Sequence, residues 1–193
     1  MSKDLISRLL GGQRWGLIYE YSQLLKQGKL TPKLRQEARL VARIMLCDSD
    51  SSNRDNAAGL LEDVGNGTDV CALKIACRDQ EWVVRCSAYS ALAVVGKKRQ
   101  YRFLRDAALG EENPIARRWA YVAAYDADSE RAVPWLLEQW PLETEVAAEV
   151  GIVSCLAAVQ IEGTVDRLRE MASMYEGWVY HCARASLVEL GLG

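Results

Sequence analysis

The chain has 193 residues, of which 50% are hydrophobic and 26% are charged, and its formal net charge is −2. This balance is typical of one folded domain of moderate size and excludes a long disordered chain. A net charge so close to zero gives no general support to binding of nucleic acid or of anionic membranes. Either role would need a local basic patch.

Cysteine and histidine content argues against a metal site. The six cysteines are scattered, no pair has C-x-x-C spacing, and His181 is the single histidine. We therefore expect reduced thiols, no disulfide framework, no metal and no cofactor. The N-terminal residues lack the apolar core of a secretory signal, and no apolar run is long enough to span a membrane, so we expect a cytoplasmic protein.

Two helices are predicted at the N-terminus. Residues 13–27 place apolar side chains such as Ile18 and Leu25 on or near one face, and Thr31-Pro32 begins a second helix that reads LRQEARLVARIML. This pair does not match the pattern that follows it. We predict that residues 1–47 form an atypical helical cap over the first repeat.

A pattern with a period of 31 or 32 residues occupies the rest of the chain. An arginine followed three residues later by alanine occurs at Arg54, Arg85 and Arg117, and Ala148 and Tyr180 continue the same register with other side chains. Second helical segments follow the first four registers, at residues 68–77, 98–109, 129–140 and 164–174. The repeating unit is therefore a helical hairpin. No alternating pattern of a β-strand is visible.

Small residues spaced three apart explain why hairpins would stack. They form a narrow stripe on each first helix, where a neighbouring helix can approach closely. The pairs are Ala88 and Ala91, Ala120 and Ala123, Gly151 and Ser154, Ala183 and Ser186. A lone hairpin cannot cover both of its apolar faces, so we predict an all-α solenoid of about five hairpins over residues 48–193, continuous with the cap in one domain.

The string D-x-x-x-V-V-R-x-x-A-x-x-A-L from Asp79 to Leu92, with AVPWLL at 132–137, resembles the HEAT-like repeat of phycobilisome lyase subunits and of many bacterial proteins. The resemblance implies that the helix carrying V-R-x-x-A lines a concave surface. It also implies that acidic and arginine side chains bridge adjacent repeats. Structural roles follow from it for Asp79 and Arg85, and for Glu111 and Arg117 as looser equivalents.

The predicted groove is the arc of each first helix opposite its core face. If Val84, Ala88 and Leu92 face the core, the opposite arc of the same helix faces the groove. Candidate partner-binding residues on this arc are Trp82, Tyr89, Arg118, Tyr121, Tyr125, Glu145, Glu149, His181 and Arg184. Trp119 and Trp178 fall nearer the core stripe, so we interpret them as structural.

A groove of aromatic and charged residues predicts a non-enzymatic protein-binding scaffold. Small HEAT-like proteins are similar to some bacterial immunity proteins, which neutralise a toxin by covering its active site, so a toxin domain is one expected partner. The acidic residues Glu143, Glu145 and Glu149 would steer a basic nuclease towards the groove. No catalytic residue is predicted, because His181 and Cys182 are adjacent on a helix and point about 100° apart.

Two alternatives remain. The basic run Lys97, Lys98, Arg99, Arg102 and Arg105 could meet phosphates, as in a nucleic-acid-binding or DNA-repair module similar to the HEAT-like DNA glycosylases. The family resemblance also includes bilin lyases, which attach a chromophore to a phycobiliprotein. Affinity for double-stranded DNA that falls steeply with salt would favour the first alternative.

Overall fold

A computed structural model describes the backbone of residues 8, 11 and 14–193, and the side chains of residues 8, 11 and 16–193. Among these residues all regular structure is helical and none lies in a β-strand, which confirms the predicted all-α class. The other residues of the predicted cap, 1–7, 9, 10, 12 and 13, lie outside the described residues.

The α-helices of the described residues are numbered in chain order. Their bounds are α1 Arg14–Lys26, α2 Pro32–Met45, α3 Ser51–Val64, α4 Val70–Ala76, α5 Trp82–Gly96, α6 Tyr101–Gly110, α7 Pro114–Ala127, α8 Ser129–Gln139, α9 Val146–Ala158, α10 Thr164–Met174 and α11 Gly177–Glu189. Short 3₁₀ turns occur at Gly67–Asp69, Lys97–Gln100 and Trp140–Leu142. The four predicted second segments correspond to α4, α6, α8 and α10.

Contacts divide the chain into two compact units, one ending at Gly96 and the other beginning at Lys97. The boundary falls inside the predicted repeat array, between a first helix and its second helix. The prediction of one continuous domain is untested by these contacts. We describe each unit by itself.

In the first unit, α3 is the central helix. It contacts α1 and α2 on the N-terminal side and α5 on the other, and α4 packs against α5. Leu17, Met45, Leu61, Leu73 and Leu92, one from each helix, are fully buried. The predicted N-terminal pair α1 and α2 therefore packs on the first helix of the first repeat.

Capping residues in the sequence determine where α2 and α3 begin. The Thr31 hydroxyl accepts a hydrogen bond from the Leu34 N–H (3.3 Å), and Pro32 occupies the first turn of α2. The Asp50 carboxylate accepts from the Ser52 N–H (2.8 Å) at the start of α3. Such caps satisfy N–H groups that have no partner within the helix.

In the second unit the helices form successive layers. The first helix α7 contacts α6, α8 and α9, and α9 in turn contacts α8, α10 and α11. The second helices α8 and α10 each pack against their own first helix and the next one. The core between α9, α10 and α11 includes Val153, Leu168 and Leu187.

The stripe of small residues allows α7 and α9 to approach closely. Gly151 in α9 is buried, and a Cβ atom placed on it would lie 2.6 Å from Cγ of Arg118 and 3.1 Å from the Arg118 carbonyl oxygen. Further along the same stripe, the hydroxyls of Ser154 and Ser186 lie 2.7 Å apart, which brings α9 against α11. Packing at this distance is possible because these positions carry small side chains.

Candidate functional site

An arginine at the repeat register joins one layer of the second unit to the next. Arg117, in the first turn of α7, donates from Nη1 to the Glu111 carbonyl (2.8 Å) and from Nε and Nη2 to the Glu143 carboxylate (both 2.9 Å). Glu143 lies just before α9 and also accepts from the Glu145 N–H (3.0 Å). One guanidinium therefore connects the loop before α7 to the loop before α9.

The first unit repeats this arrangement. Arg54 donates to both oxygens of Asp79 (2.7 and 2.8 Å) and to the carbonyls of Asp48 and Ser49 (3.0 and 3.1 Å). Asp79 also accepts from the Glu81 N–H (2.9 Å) in the loop ahead of α5. The sequence assigned Asp79 a structural role but missed its partner, Arg54, which stands one period before Arg85.

The other two residues with a predicted structural role make similar local contacts. Arg85 donates from Nη1 to the carbonyls of Asp79 (2.8 Å) and Gln80 (3.1 Å). The buried Glu111 carboxylate accepts from the Asn113 N–H (3.0 Å) ahead of α7. Both residues hold the loop that leads into a first helix.

The paired carboxylates are held in their charged form. The hydrogen bond from Arg54 is the largest cause that lowers the pKa of Asp79. Burial by itself would raise the pKa of Glu143, but its hydrogen bonds with Arg117 and the backbone outweigh burial, so this pKa is also lowered. These ion pairs belong to the framework of the fold.

The expected acidic cluster is not an open charged surface. Glu143 pairs with Arg117, and its side chain is 5% exposed. Glu149 accepts from Nε and Nη2 of Arg167 (2.8 and 2.7 Å) and from the Trp140 indole (3.1 Å). Glu145 alone of the three is exposed. The steering hypothesis therefore loses two of its three charges, because each is neutralised by an arginine of its own unit.

Two of the predicted aromatic contact residues lie in the core. Tyr89 is 2% exposed and Tyr121 is 4% exposed. The Tyr121 ring lies 5.5 Å from the Trp135 ring, and its hydroxyl donates to Glu143 (3.1 Å). Burial raises the pKa of Tyr121. This burial argues against direct contact between a partner and Tyr89, Tyr121 or Glu149.

The other predicted contact residues retain some exposure. Trp82 in α5 is 38% exposed, Tyr125 in α7 is half-buried, and His181 and Arg184 in α11 are exposed. Their role in binding stays a prediction.

The accessible surface of α7 is not the predicted arc alone. Because α7 is packed by α6, α8 and α9, most of it is buried or half-buried. Arg118 and Tyr125 of the predicted arc are half-buried, and Tyr121 is buried. A second stripe with helical spacing is also accessible, through Ile115, Trp119, Val122 and Asp126. The prediction assumed one buried face, whereas a helix with neighbours on three sides buries most of its circumference.

Beside this stripe, Arg118 and two tryptophans form a cluster that we call the Arg118 site, comprising Arg118 and Trp119 of α7, Gly151 of α9 and Trp178 of α11. The Arg118 side chain passes over Gly151. Its guanidinium carbon lies 4.9 Å from the ring centre of Trp119 and 5.1 Å from that of Trp178. Both distances are in the range of cation–π contacts. Arg118 and both tryptophans are half-buried.

Sequence reasoning missed the contact of these two tryptophans with Arg118, although Trp178 packs against the core of α9, α10 and α11 as expected. It assigned both to the core because they fall near the small-residue stripe. The available signal was Gly151, since a glycine within a helix, where alanine stands in the other registers, indicates close approach of another group.

Arg118 has no counter-ion among the residues that the structure describes. Its Nε is buried and donates to no acceptor. By contrast Arg117 and Arg167, the other half-buried arginines of α7 and α10, each hold a carboxylate with two hydrogen bonds. The Arg118 guanidinium is therefore a positive charge held in place by indole rings and helix packing.

The thiols of the second unit are not activated. Burial raises the pKa of Cys155 and Cys182, and the positive charge of Arg118 offsets only part of this shift. A thiol with a raised pKa is a poor nucleophile near neutral pH. The ring of His181, the sequence neighbour of Cys182, packs edge-on against Tyr180 at 5.2 Å.

Two clefts lie outside the Arg118 site. In the second unit, a cleft of about 410 Å³ between α10 and α11 is lined by Arg169, Ser173, Tyr180 and Arg184, among others. In the first unit, a groove of about 560 Å³ runs between α1, α3 and the Ser87 position of α5. Gly59 lines this groove with open space above it.

The basic run lies on the surface of the second unit. Lys97, Arg99 and Arg102 are exposed and have no ion-pair partner in the described chain. Lys98 lies 3.9 Å from Glu130, and Arg105 pairs with Asp106 at 2.9 Å. Three of the five charges are thus available to an anion.

Within the described ranges, no group of three or more histidine, cysteine or acidic residues is placed to hold a metal ion. Every helix there is too short or too polar to cross a lipid bilayer. No family model matches the sequence, and no curated protein matches it.

Proposed function

We propose that the protein is a non-enzymatic protein-binding module built on a HEAT-like α-solenoid. Its partner binds at the Arg118 site of the second unit. Support for the repeat architecture comes from the layered contacts inside each unit and from the repeated arginine bridges of Arg54 and Arg117. Hairpins that share faces in this way form a regular framework on which side chains are held rigidly.

The observation that carries the proposal is the composition and exposure of the Arg118 site. Tryptophan and arginine are the residue types most enriched at interface hot spots, because they bury large areas and keep a polar group for the partner. Here two indoles and one guanidinium contact one another and remain partly exposed. A core cluster would be closed to solvent and would contain no unpaired charge.

The non-enzymatic part of the proposal is supported by the state of the nucleophiles. The thiols nearest to Arg118 have raised pKa values, and the carboxylates Glu143 and Glu149 are each engaged by an arginine. A thiol with a raised pKa is a poor nucleophile near neutral pH, and both carboxylates already contribute to the framework of the fold.

The resemblance to bacterial immunity proteins suggests the class of partner. We propose first that the partner is a toxin domain in the cytoplasm and that this protein neutralises it by covering its active site. Rigid solenoids suit this task, because a preorganised surface avoids the entropic cost of ordering on binding.

Co-purification tests the proposal. Tagged wild-type chain and a folded Trp178→Ala variant are used as baits in a bacterial lysate, with Leu142→Ala as control because Leu142 is 70% exposed and outside the site. We expect a partner that both wild type and Leu142→Ala retain and that Trp178→Ala loses at least tenfold, since hot-spot truncations cost about 2 kcal/mol or more. A folded Trp178→Ala variant that keeps every partner would refute the assignment of the site.

A second candidate function, nucleic-acid binding, is favoured by the three unpaired cations of the basic run. Its test is the affinity for double-stranded DNA between 50 and 200 mM salt, for wild type and for a triple variant with glutamine at Lys97, Arg99 and Arg102. Phosphate contacts require a steep loss of affinity with salt and a shallower slope in the variant. Absence of binding at low salt would remove this candidate.

A further inference from the structure

We infer that the partner presents a carboxylate, from an aspartate or glutamate side chain, to the guanidinium of Arg118. This inference rests on the proposed function and adds the chemistry of the group that is bound. It reverses the charge expected from the sequence, in which acidic residues of this protein were to meet a basic partner.

The first argument is the missing counter-ion. Each of the other half-buried arginines of the second unit, Arg105, Arg117 and Arg167, lies within 2.9 Å of a carboxylate oxygen. Arg118 is held among apolar groups with no such neighbour in the described part of the chain, and its Nε is buried without an acceptor. A half-buried charge without a counter-ion is stabilised when a partner supplies one.

The second argument is accessibility. Among the described residues, the terminal nitrogens Nη1 and Nη2 of Arg118 donate to no acceptor, and Nε is the one nitrogen of this side chain that is fully buried. The two terminal nitrogens therefore keep some solvent-accessible surface. Together they can donate two parallel hydrogen bonds to the two oxygens of one carboxylate.

The third argument is preorganisation. Trp119 and Trp178 lie against the guanidinium, and Gly151 leaves room for the aliphatic part of the side chain. The side chain is thus already ordered, so a partner does not bear the entropic cost of ordering it. The indoles also lower local hydration, which strengthens a charge-assisted hydrogen bond.

A carboxylate fits this site better than a phosphate group. Proteins that recognise phosphorylated peptides use clusters of arginines, because a phosphate carries close to two negative charges and three acceptor oxygens. The site contains a single cation, Arg118, in contact with two indoles. One guanidinium matches one carboxylate in charge and in number of hydrogen bonds.

The test uses a phage library of random 12-residue peptides, selected on the full wild-type chain. Clones whose binding needs the indoles are identified with folded Trp119→Ala and Trp178→Ala variants, or with Trp178→Leu if Trp178→Ala does not fold. The peptides are then synthesised, and their dissociation constants are measured for wild type, Arg118→Gln and the control Arg102→Gln. The control removes the same charge from an exposed site on α6.

We expect the selected peptides to contain an aspartate or glutamate whose amide variant binds at least tenfold more weakly. Arg118→Gln should weaken binding of the acidic peptide by a similar factor, and Arg102→Gln should leave it unchanged. Arg118→Gln should bind the acidic peptide and its amide variant with nearly the same affinity. Such a cycle shows that the two groups interact directly.

Two results would overturn the inference and leave the proposed function standing. In one, indole-dependent peptides bind Arg118→Gln as tightly as wild type. In the other, phosphoserine versions of the peptides bind more tightly than the aspartate or glutamate versions. If no peptide depends on either indole, the proposed binding role of the Arg118 site fails together with the inference.

Discussion

Replacing Gly151 by alanine tests whether the close approach of α7 and α9 is as tight as the structure indicates. The new Cβ would lie 2.6 Å from Cγ of Arg118, 3.1 Å from its carbonyl oxygen and 3.3 Å from its Cα. Carbon atoms in contact are normally about 3.5–4.0 Å apart. The Cγ atom would have to move by about 1 Å, and backbone atoms by a few tenths of an ångström.

This movement is opposed by the rest of the Arg118 site. The guanidinium contacts both Trp119 and Trp178, so a shift of the side chain would disturb these contacts. Overpacking of this kind costs about 1–3 kcal/mol. Alanine in a helix interior recovers about 1 kcal/mol relative to glycine. The expected net effect of Gly151→Ala is a loss of about 1 kcal/mol of unfolding free energy.

Gly59→Ala is the matched control. Gly59 lies within α3, and a Cβ atom there would meet nothing within 4 Å. This variant should gain up to about 1 kcal/mol from helix propensity alone. Gly110→Ala, at the last residue of α6 and equally unobstructed, provides a second control inside the same unit as Gly151.

Urea unfolding, followed by circular dichroism and by tryptophan fluorescence, measures the difference. We expect Gly151→Ala to be about 2 kcal/mol less stable than Gly59→Ala. In an Arg118→Ala background the penalty of Gly151→Ala should shrink, because the closest contact is gone. If Gly151→Ala is as stable as Gly59→Ala, the helices are not packed as tightly at Arg118 as we describe.

Three further outcomes follow from the buried charges and thiols. Asp79→Asn should cost about 3 kcal/mol at pH 7. Because folding lowers the pKa of Asp79, the stability that this carboxylate contributes is complete above its unfolded-state pKa of about 3.9 and is lost as pH falls through the folded pKa. The urea midpoints of wild type and Asp79→Asn should therefore converge in acid. A gap that stays constant with pH would contradict the ion pair. The Asp69 carboxylate is fully buried and bound by two arginines, so Asp69→Asn should cost about 3 kcal/mol of stability. The Asp166 side chain is 82% exposed, so Asp166→Asn should change stability by less than about 0.5 kcal/mol. Equal effects of the two variants would refute the burial argument. Cys71 is exposed and should react with iodoacetamide in the native protein at pH 8, whereas Cys77 is buried with a raised pKa and should react only in urea. Mass spectrometry of the labelled peptides measures this difference. Labelling of Cys77 in the native protein would contradict its burial.

Much of the helical structure was predictable because helices are specified by local interactions. Thr31-Pro32 and Asn113-Pro114 each combine a capping side chain with a first-turn proline, and the structure begins α2 and α7 at these prolines. Residues 164–174 were predicted as a helix and form α10 with the same bounds. Capping and helical periodicity act over three or four residues, so one sequence is enough to detect them.

The stripe of small residues was also visible in the sequence, and its consequence is found in the structure. Ala120 and Ala123 are buried, and Ser154 meets Ser186 in the next first helix. A period of about 32 residues places equivalent positions of successive first helices side by side. Packing between neighbours in such an array follows from the pattern itself.

The surface of each helix could not be assigned from its sequence. Tyr121 was expected to face a partner and lies in the core, while Trp119 was expected in the core and is half-exposed. These two residues are two positions apart, about 200° around the helix, so an error in the direction of the open arc exchanges them. Only the positions of three packed neighbours of α7 decide that direction.

The partners of the charged residues were likewise decided by the tertiary structure. By itself, the sequence determined the helical class, the start of several helices and the register in which arginines recur. It could not show that Glu143 is neutralised by Arg117 or that Arg118 has no counter-ion in the described chain, although the two arginines are adjacent. Coulomb interactions depend on distance in space, and that distance is set by how the layers pack.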